Sequence, residues 1–369
     1  MQRSLACSLL CLCLTFLVPT TNVSAQSSTG TPSPAEPSRS PAELSRYELA
    51  ILAMGSRLEI IVYTQTEQQA KEVIDAGLAE IERLSKILSN YDAESEISRL
   101  CATQVDSPFS MSSDLAKVLA LSKRWHQWSD GKFDVTVGPL TELWRQARKQ
   151  KQLPNKEEVA RSRQRCGWEL VQCDFNLESL VSSQTSDLSI GDQRGYPVRL
   201  LAAEMVVDLS GIATGYIVDR AFEKMSTFGY PSVLINAGGD IRVGDPPPGQ
   251  NGWRVSIAGL EKNAPPLLNL SLRNCAVTTS GDLFQYVEIE GRRYSHFMDP
   301  STGEPVERRQ SVTAIAATTV DADAGATSLA LLGMERSASL FDSLPLKEAI
   351  LLETEGDETS HARLRWLTK

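Results

Sequence analysis

An α+β fold, mainly antiparallel strands with helices packed on them, is predicted for this 369-residue chain by three observations. A strand-like run at residues 58–63 leads straight into a long helical pattern at 66–88, and the second half breaks into short apolar runs separated by turn residues. Nowhere do strands and helices alternate regularly enough for a parallel βαβ sheet. Residues 46–369 are long enough for a single large domain of two joined lobes, because single cores stop growing near about 250–300 residues.

Ahead of that domain, Arg3 is followed by an apolar stretch from Leu5 to Val18 and then by Val23-Ser24-Ala25, the charge, core and small-residue order of a signal peptide over residues 1–25. The stretch is well short of the roughly 20 residues a membrane span requires, so cleavage after Ala25 and export are expected rather than a retained anchor. Cys7, Cys11 and Cys13 lie in it without the Leu-small-small pattern of a lipoprotein signal. Residues 26–45 are rich in Ser, Pro, Thr and Ala, with almost no large apolar side chain to bury, and read as a disordered leader.

Within the domain, Val73, Ile74, Leu78, Ile81, Leu84 and Leu88 recur at helical spacing along 66–88. A second helix is expected over 113–128, with Leu115, Val118, Leu119, Leu121 and Trp125 as its buried stripe and Ser129-Asp130-Gly131 as its stop; His126 at its end reads as structural. Residues 155–203 show no clear periodicity and are read as carrying a surface insertion around 174–200. Next come a strand at 205–209, a turn at Ser210-Gly211 and a helix at 214–228 that ends before Gly229. Residues 232–236 read as a buried strand, and Ala237-Gly238-Gly239-Asp240 lets the backbone turn sharply or approach a ligand. Strands at 254–258, 268–272, 285–289 and 312–318, and a helix at 323–332, close the predicted core.

A net charge of −9 without a dense Lys/Arg run argues against a nucleic-acid footprint, which needs clustered cations to neutralise phosphates. A small molecule or a protein partner fits better. Four cysteines follow the signal segment, Cys101, Cys166, Cys173 and Cys275, with no C-x-x-C pair for zinc or redox work. Cys166 and Cys173 read equally as a bridge or as buried thiols.

Three segments carry chemistry. His296, one of three histidines, stands three residues before Asp299-Pro300, with Thr302-Gly303 closing a turn. Its imidazole suits general acid or base work near neutrality, and a turn in which it caps backbone groups explains the pattern equally well. Asp321, Asp323 and Thr327 fall at the start of a predicted helix, the last two on one face. Such hard oxygen donors suit magnesium, while an acidic first turn that complements the helix dipole reads the same way. The run from Asp208 to Gly215, DLSGIATG, sets a carboxylate at a strand end and glycine-rich backbone at a helix start, where amides can meet phosphate. Rossmann, P-loop and nucleophile-elbow motifs are absent from the sequence.

Eight blocks occur in a fixed order: Met54-Gly55-Ser56; Ser89-Asn90-Tyr91-Asp92 with Ser95-Glu96-Ile97-Ser98; FDVTVGPL from Phe133; DLSGIATGY from Asp208; NAGGDI from Asn236; TTSGD from Thr278; HFMDPSTGEPV from His296; and DADAGAT from Asp321. Over residues 53–333 this order resembles the ApbE family, the FAD:protein FMN transferases. The resemblance implies an ApbE-like fold and transfer of the FMN half of FAD to a Ser or Thr hydroxyl of an acceptor protein, with AMP leaving. It implies magnesium or manganese held by Asp323, Thr327 and the Gly211 carbonyl. It also implies an FAD site lined by Met54, Tyr91, Lys132, Phe133, Asp134, Asp208, Thr214 and His296, with His296 as base for the incoming hydroxyl or as a phosphate ligand. The implied partner is an acceptor flavoprotein with a Ser/Thr flavinylation motif in a membrane-associated electron-transfer system, and the implied location is the periplasm.

Many relatives have Lys where this chain has Thr214, and a hydroxyl cannot supply that charge; FAD affinity is then lower, or Arg220 compensates. DADAGAT at residues 321–327 also resembles the acceptor pattern Asp-x-x-(Ser/Ala)-Gly-Ala-Thr, read here as coincidence because Thr327 is already assigned to the metal. Two other readings stand beside transfer: a pyrophosphatase that splits FAD into FMN and AMP, and an exported flavin-binding protein without turnover.

Overall fold

The computed structural model describes residues 43–182, 195–261, 264–283, 285–354 and 362–369. The expected signal peptide, and the expected leader up to residue 42, lie outside the described residues. Glu43–Lys369 is one compact unit.

The first half of the chain contains β1 (Ser45–Ala53), β2 (Ser56–Thr64), α1 (Glu67–Leu88), α2 (Glu96–Cys101), β3 (Phe109–Met111), α3 (Ser113–Trp128), α4 (Gly138–Gln150), α5 (Lys156–Arg163), β4 (Val171–Cys173), α6 (Ser179–Ser182) and β5 (Tyr196–Leu200). After α7 (Ala213–Ser226) come β6 (Val233–Ala237), β7 (Asp240–Val243), β8 (Trp253–Ile257), β9 (Leu268–Leu272), β10 (Cys275–Gly281), β11 (Tyr286–Ile289) and β12 (Arg292–Ser295). The chain ends with β13 (Met298–Asp299), β14 (Glu304–Pro305), β15 (Arg309–Ala316), α8 (Thr319–Leu340), β16 (Leu346–Thr354) and β17 (Arg363–Thr368).

Eight strands form the frame in the order β1-β2-β6-β7-β10-β15-β16-β17, and every neighbouring pair is antiparallel, as the α+β reading requires. Side chains alternate across this sheet. In β2, Leu58, Ile60 and Val62 join the core under α1, α7 and α8, whereas Ile61 packs on the other face with Trp253, Val255 and Ile257 of β8. Helix α1 starts at a capping box, with Thr66 accepting from the Gln69 amide and the Gln69 side chain accepting from the Thr66 amide.

The structure departs from the sequence reading in several places. Residues 205–209 are not a strand of any sheet. Helix α8 begins at Thr319, capped by the Thr318 hydroxyl, so Asp323 lies inside it rather than at its start; the run past residue 332 is broken at Gly333, where φ is 75°. Strands β16 and β17 extend the sheet beyond the expected last helix. Helix α4, not anticipated, has Pro139 in its first turn, a start signal that was present in the sequence. Residues 183–194 of the expected insertion lie outside the described residues, and its end is β5, which pairs with β3 and β4 and buries Val198 and Leu200. Cys101, Cys166, Cys173 and Cys275 are all free thiols.

The pairing of α7 with α8 positions the site. A Cβ at Gly215 would come within 2.7 Å of the Thr319 carbonyl oxygen and 2.8 Å of the Val320 Cα, so only glycine permits this approach. One turn on, the buried Asp219 carboxylate accepts from the amides of Thr319 at 2.8 Å and Val320 at 2.9 Å, capping the start of α8. Gly215→Ala is expected to cost about 1–3 kcal/mol in denaturant unfolding, because the clash is with backbone. Wild-type stability of that variant would show that the two helices separate freely.

Candidate active site

The candidate site is built where α7 begins. Asp323 is 5% exposed, and its Oδ2 accepts from the Gly215 amide at 3.2 Å, in the first turn of α7. Thr327 follows one turn later on the same face of α8, its Oγ1 3.2 Å from the Ser280 hydroxyl of β10. Gly211 lies against Thr327: a Cβ there would stand 3.6 Å from Thr327 Oγ1 and 3.2 Å from the Phe133 ring. The fold thus brings Gly211, Thr327 and Phe133 together at the start of α7. Asp321 faces elsewhere, accepting from the Trp125 indole at 3.2 Å and the Thr318 hydroxyl at 2.6 Å.

Burial, joined by the charges of Asp240 and Asp219, holds the Asp323 carboxyl well above the usual carboxylate range. Asp240 and Asp219 are themselves each pushed up to about 6 by burial, against the pull of Thr278 on Asp240 and of Arg242 on Asp219. Three crowded carboxylates with one nearby arginine favour a positive ligand. Among the described residues no group of three or more His, Cys, Asp or Glu side chains could hold a metal ion. A cation here would therefore have Asp323 as its carboxylate ligand, with the Thr327 hydroxyl one turn along α8 and the Gly211 backbone packed against that threonine. That sparse, all-oxygen set fits magnesium or manganese, with phosphate oxygens and waters completing the shell.

Asp208 sits on the unpaired segment 205–210, whose backbone is satisfied from outside any sheet. Asn90 donates to the Val207 carbonyl at 2.6 Å and accepts from the Leu209 amide at 2.9 Å, so its side-chain amide stands in for a neighbouring strand. The Val207 amide donates to Cys101 Sγ at 3.3 Å, and the Asp208 amide to the Val135 carbonyl at 2.7 Å. Asp208 Oδ1 accepts from the Ser210 amide at 3.0 Å, which shapes the turn into Gly211. Tyr91, next to Asn90, is 79% exposed and has the Arg145 guanidinium 5.6 Å from its ring centroid.

On the other wall, Lys132 binds both Asp299 oxygens, at 2.9 and 2.7 Å, and the Ser301 hydroxyl at 2.9 Å. The lysine therefore ties the loop before Phe133 to the segment after His296, and its charge is already paired with Asp299. Asp134 accepts from the Thr136 amide and hydroxyl and lies 3.5 Å from His126 Nδ1, while burial raises its pKa. His126 also meets the Phe133 carbonyl at 3.1 Å, in keeping with its structural reading.

His296 Nδ1 is 3.2 Å from the Gln285 carbonyl oxygen; an acceptor there makes Nδ1 the N–H and leaves Nε2 a free lone pair. Burial, with Arg148 adding to it, lowers its pKa to about 4, so the ring is neutral at ordinary pH. Met54 forms the β1–β2 turn with Gly55, at φ values of 50° and 73°. Thr214 lies half-buried in the first turn of α7. Arg220 does not take over the missing lysine charge: its guanidinium is paired with Glu223. The sequence reading gave no role to Asn90, Ser280, Asp219 or Arg148. Asn90 and Ser280 stood inside quoted blocks, which was the available signal.

Fold and site together define an α+β protein with a buried carboxylate and hydroxyl oxygens gathered at a helix N-terminus. The chain belongs to the ApbE family, whose model matches residues 54–351. It is 29% identical over 299 residues to the FAD:protein FMN transferase of Haemophilus influenzae, covering 79% of this chain and 81% of that one. To the protein of the same name from Vibrio cholerae it is 30% identical over 285 residues, covering 74% and 78%. The apo flavinyl transferase ApbE of Pseudomonas stutzeri superposes with a TM-score of 0.72 at 25% identity, covering 89% of this chain and 96% of that one. The ApbE protein of Thermotoga maritima gives a TM-score of 0.73 at 24% identity, covering 87% and 96%.

The carboxylate cluster makes a signed prediction. A carboxyl whose folded pKa is raised binds its proton more tightly in the native state, so stability falls as pH rises from the usual carboxylate value through the folded one. With chelator present, Asp323→Asn should melt a few degrees above wild type at pH 7.5 and match it near pH 4. Added magnesium should raise the wild-type Tm at pH 7.5 and leave the variant unmoved. Equal melting at pH 7.5, with the magnesium shift retained, contradicts this assignment.

Proposed function

We propose that this chain is an FAD:protein FMN transferase that moves FMN from FAD to a Ser or Thr hydroxyl of an acceptor protein and releases AMP. The observation that carries the reading is the buried Asp323 at the first turn of α7, beside Thr327 and Gly211, in a chain whose ApbE relatives bear that name. The α7 dipole turns its positive end toward a phosphate there, while the Ala213 and Gly215 amides are already bonded to the Leu209 carbonyl and Asp323. Asp208, between the Val207 and Leu209 backbone groups that Asn90 holds, supplies a carboxylate acceptor for the cofactor's donors, and exposed Tyr91 offers an aromatic face.

A divalent cation bound by Asp323, Thr327 and the Gly211 carbonyl would neutralise pyrophosphate charge. His296 takes the proton of the acceptor hydroxyl on Nε2, the nitrogen left free by the Gln285 contact. The hydroxyl oxygen bonds to the FMN phosphorus, the anhydride bond breaks, and AMP departs with the bridging oxygen. Lys132, through Asp299, holds the histidine segment against the Phe133 loop that touches Gly211.

Export, with cleavage after Ala25 and a periplasmic location, is supported by the Arg3, apolar and Val23-Ser24-Ala25 order of the N-terminus. An exported flavin transferase calls for an exported acceptor, and a flavoprotein of a membrane-associated electron-transfer system is the partner class we assign.

Incubation of residues 26–369 with FAD, magnesium and a threonine peptide of the acceptor pattern should give an FMN-sized mass increment on the peptide and one AMP per flavin attached. FMN and AMP without covalent flavin would instead identify a pyrophosphatase, and FAD binding without AMP a carrier. His296→Ala should slow transfer by about 10²–10⁴-fold. The wild-type rate should lose its base only as pH approaches about 4, since His296 must be unprotonated. An acid limb at the ordinary histidine value, or full activity in the variant, removes His296 as base.

A further inference from the structure

Helix α4 and its C-cap carry Arg145, Arg148, Lys149 and Lys151 in a chain whose net charge is −9. Among the described residues none of the four is in an ion pair, whereas Lys132 before them is held by Asp299. Arg145 and Arg148 are half-buried, Lys149 and Lys151 exposed.

The ordinary explanation for cations in a last helical turn is that they complement the C-terminal carbonyls. It accounts for where the two lysines stand on the helix and leaves their ammonium groups exposed. The arginines turn to other segments: Arg145 lies over the Tyr91 ring at 5.6 Å, and Arg148 Nη2 donates to the Ser295 carbonyl at 3.1 Å, one residue from His296. Spaced three apart, they share a helix face, so two guanidiniums line the rim between Tyr91 and His296. Burial and the charge of Arg145 both make the Arg148 cation less comfortable, and no carboxylate relieves it. The planar fork of arginine matches carboxylates and phosphates in particular.

We propose that Arg145 and Arg148 form a docking strip for an acidic segment of the acceptor protein, which it holds beside His296. This rests on the transferase reading above. A protein segment fits better than the cofactor's phosphates for two reasons. The positive strip runs on past Arg148 to exposed Lys149 and Lys151, so its ligand must be extended. The transferase reading already assigns the phosphates to the positive end of the α7 dipole. On a chain that is negative overall, such a strip also steers an acidic partner to the one place where its hydroxyl can be deprotonated.

The test uses two fluorescent threonine peptides, one with two aspartates upstream of the threonine and one with asparagines in their place, and reads binding to residues 26–369 by anisotropy. The wild type should bind the aspartate peptide about tenfold more tightly, the scale of one charge-assisted contact. Arg145→Ala with Arg148→Ala should erase that preference and leave FAD affinity within about twofold, whereas Lys at both positions, which keeps the charge without the fork, should restore only part of it and shows that the sites tolerate change. No preference in the wild type, or a preference that survives the double alanine variant, overturns the proposal. A fall in FAD affinity with the peptide preference intact overturns it too, and assigns the arginines to the cofactor's phosphates. AMP release from FAD is followed in parallel: its absence, with the preference present, counts against the transferase reading and not against the strip.

Discussion

A carboxyl buried between two helices stays charged only if something opposite in charge comes to meet it and otherwise keeps its proton, and Asp323 is in that position. It lies against the first turn of α7 and shares its surroundings with Asp219 and Asp240. Two features hold it there. Gly215 lets α7 approach the backbone of α8, and Asp219 caps the first amides of α8 from α7. Both belong to the frame rather than to the cleft. The sheet takes part through Ser280 of β10 and Asp240 of β7, adjacent strands that face the same helices.

Around this centre, loops are fixed by side chains. Asn90 closes the backbone of residues 207–209 as a neighbouring strand would, and Lys132 joins two loops by binding Asp299 and Ser301. Such contacts leave the backbone free to turn toward a ligand while keeping its polar groups satisfied. The Phe133 ring against Gly211 then connects the histidine wall to the carboxylate wall.

Much of this could be read from the chain itself. The stripes of α1 and α3 were legible because both helices bury one face, and the antiparallel character of the sheet followed from its short, turn-separated strands. The false strand at 205–209 has a physical cause: an apolar extended run looks the same whether its partner is a strand or an asparagine side chain. Strand β16 was missed because its Ala349-Ile350-Leu351-Leu352 run is buried on both faces and lacks alternation. Asp323 and Thr327 were singled out from helical spacing and resemblance. The roles of Asn90, Asp219 and Arg148 depend on contacts across more than 90 residues of sequence, which spacing does not encode.

The central claim is that Asp323, Thr327 and Gly211 bind a divalent cation with oxygen donors at the start of α7. Anomalous diffraction from crystals of residues 26–369 soaked with manganese and FAD tests it directly. A single strong peak within coordination distance of the Asp323 carboxylate, Thr327 Oγ1 and the Gly211 carbonyl, touching the cofactor's phosphates, is the predicted result; a peak elsewhere, or phosphates placed away from the first turn of α7, would contradict it.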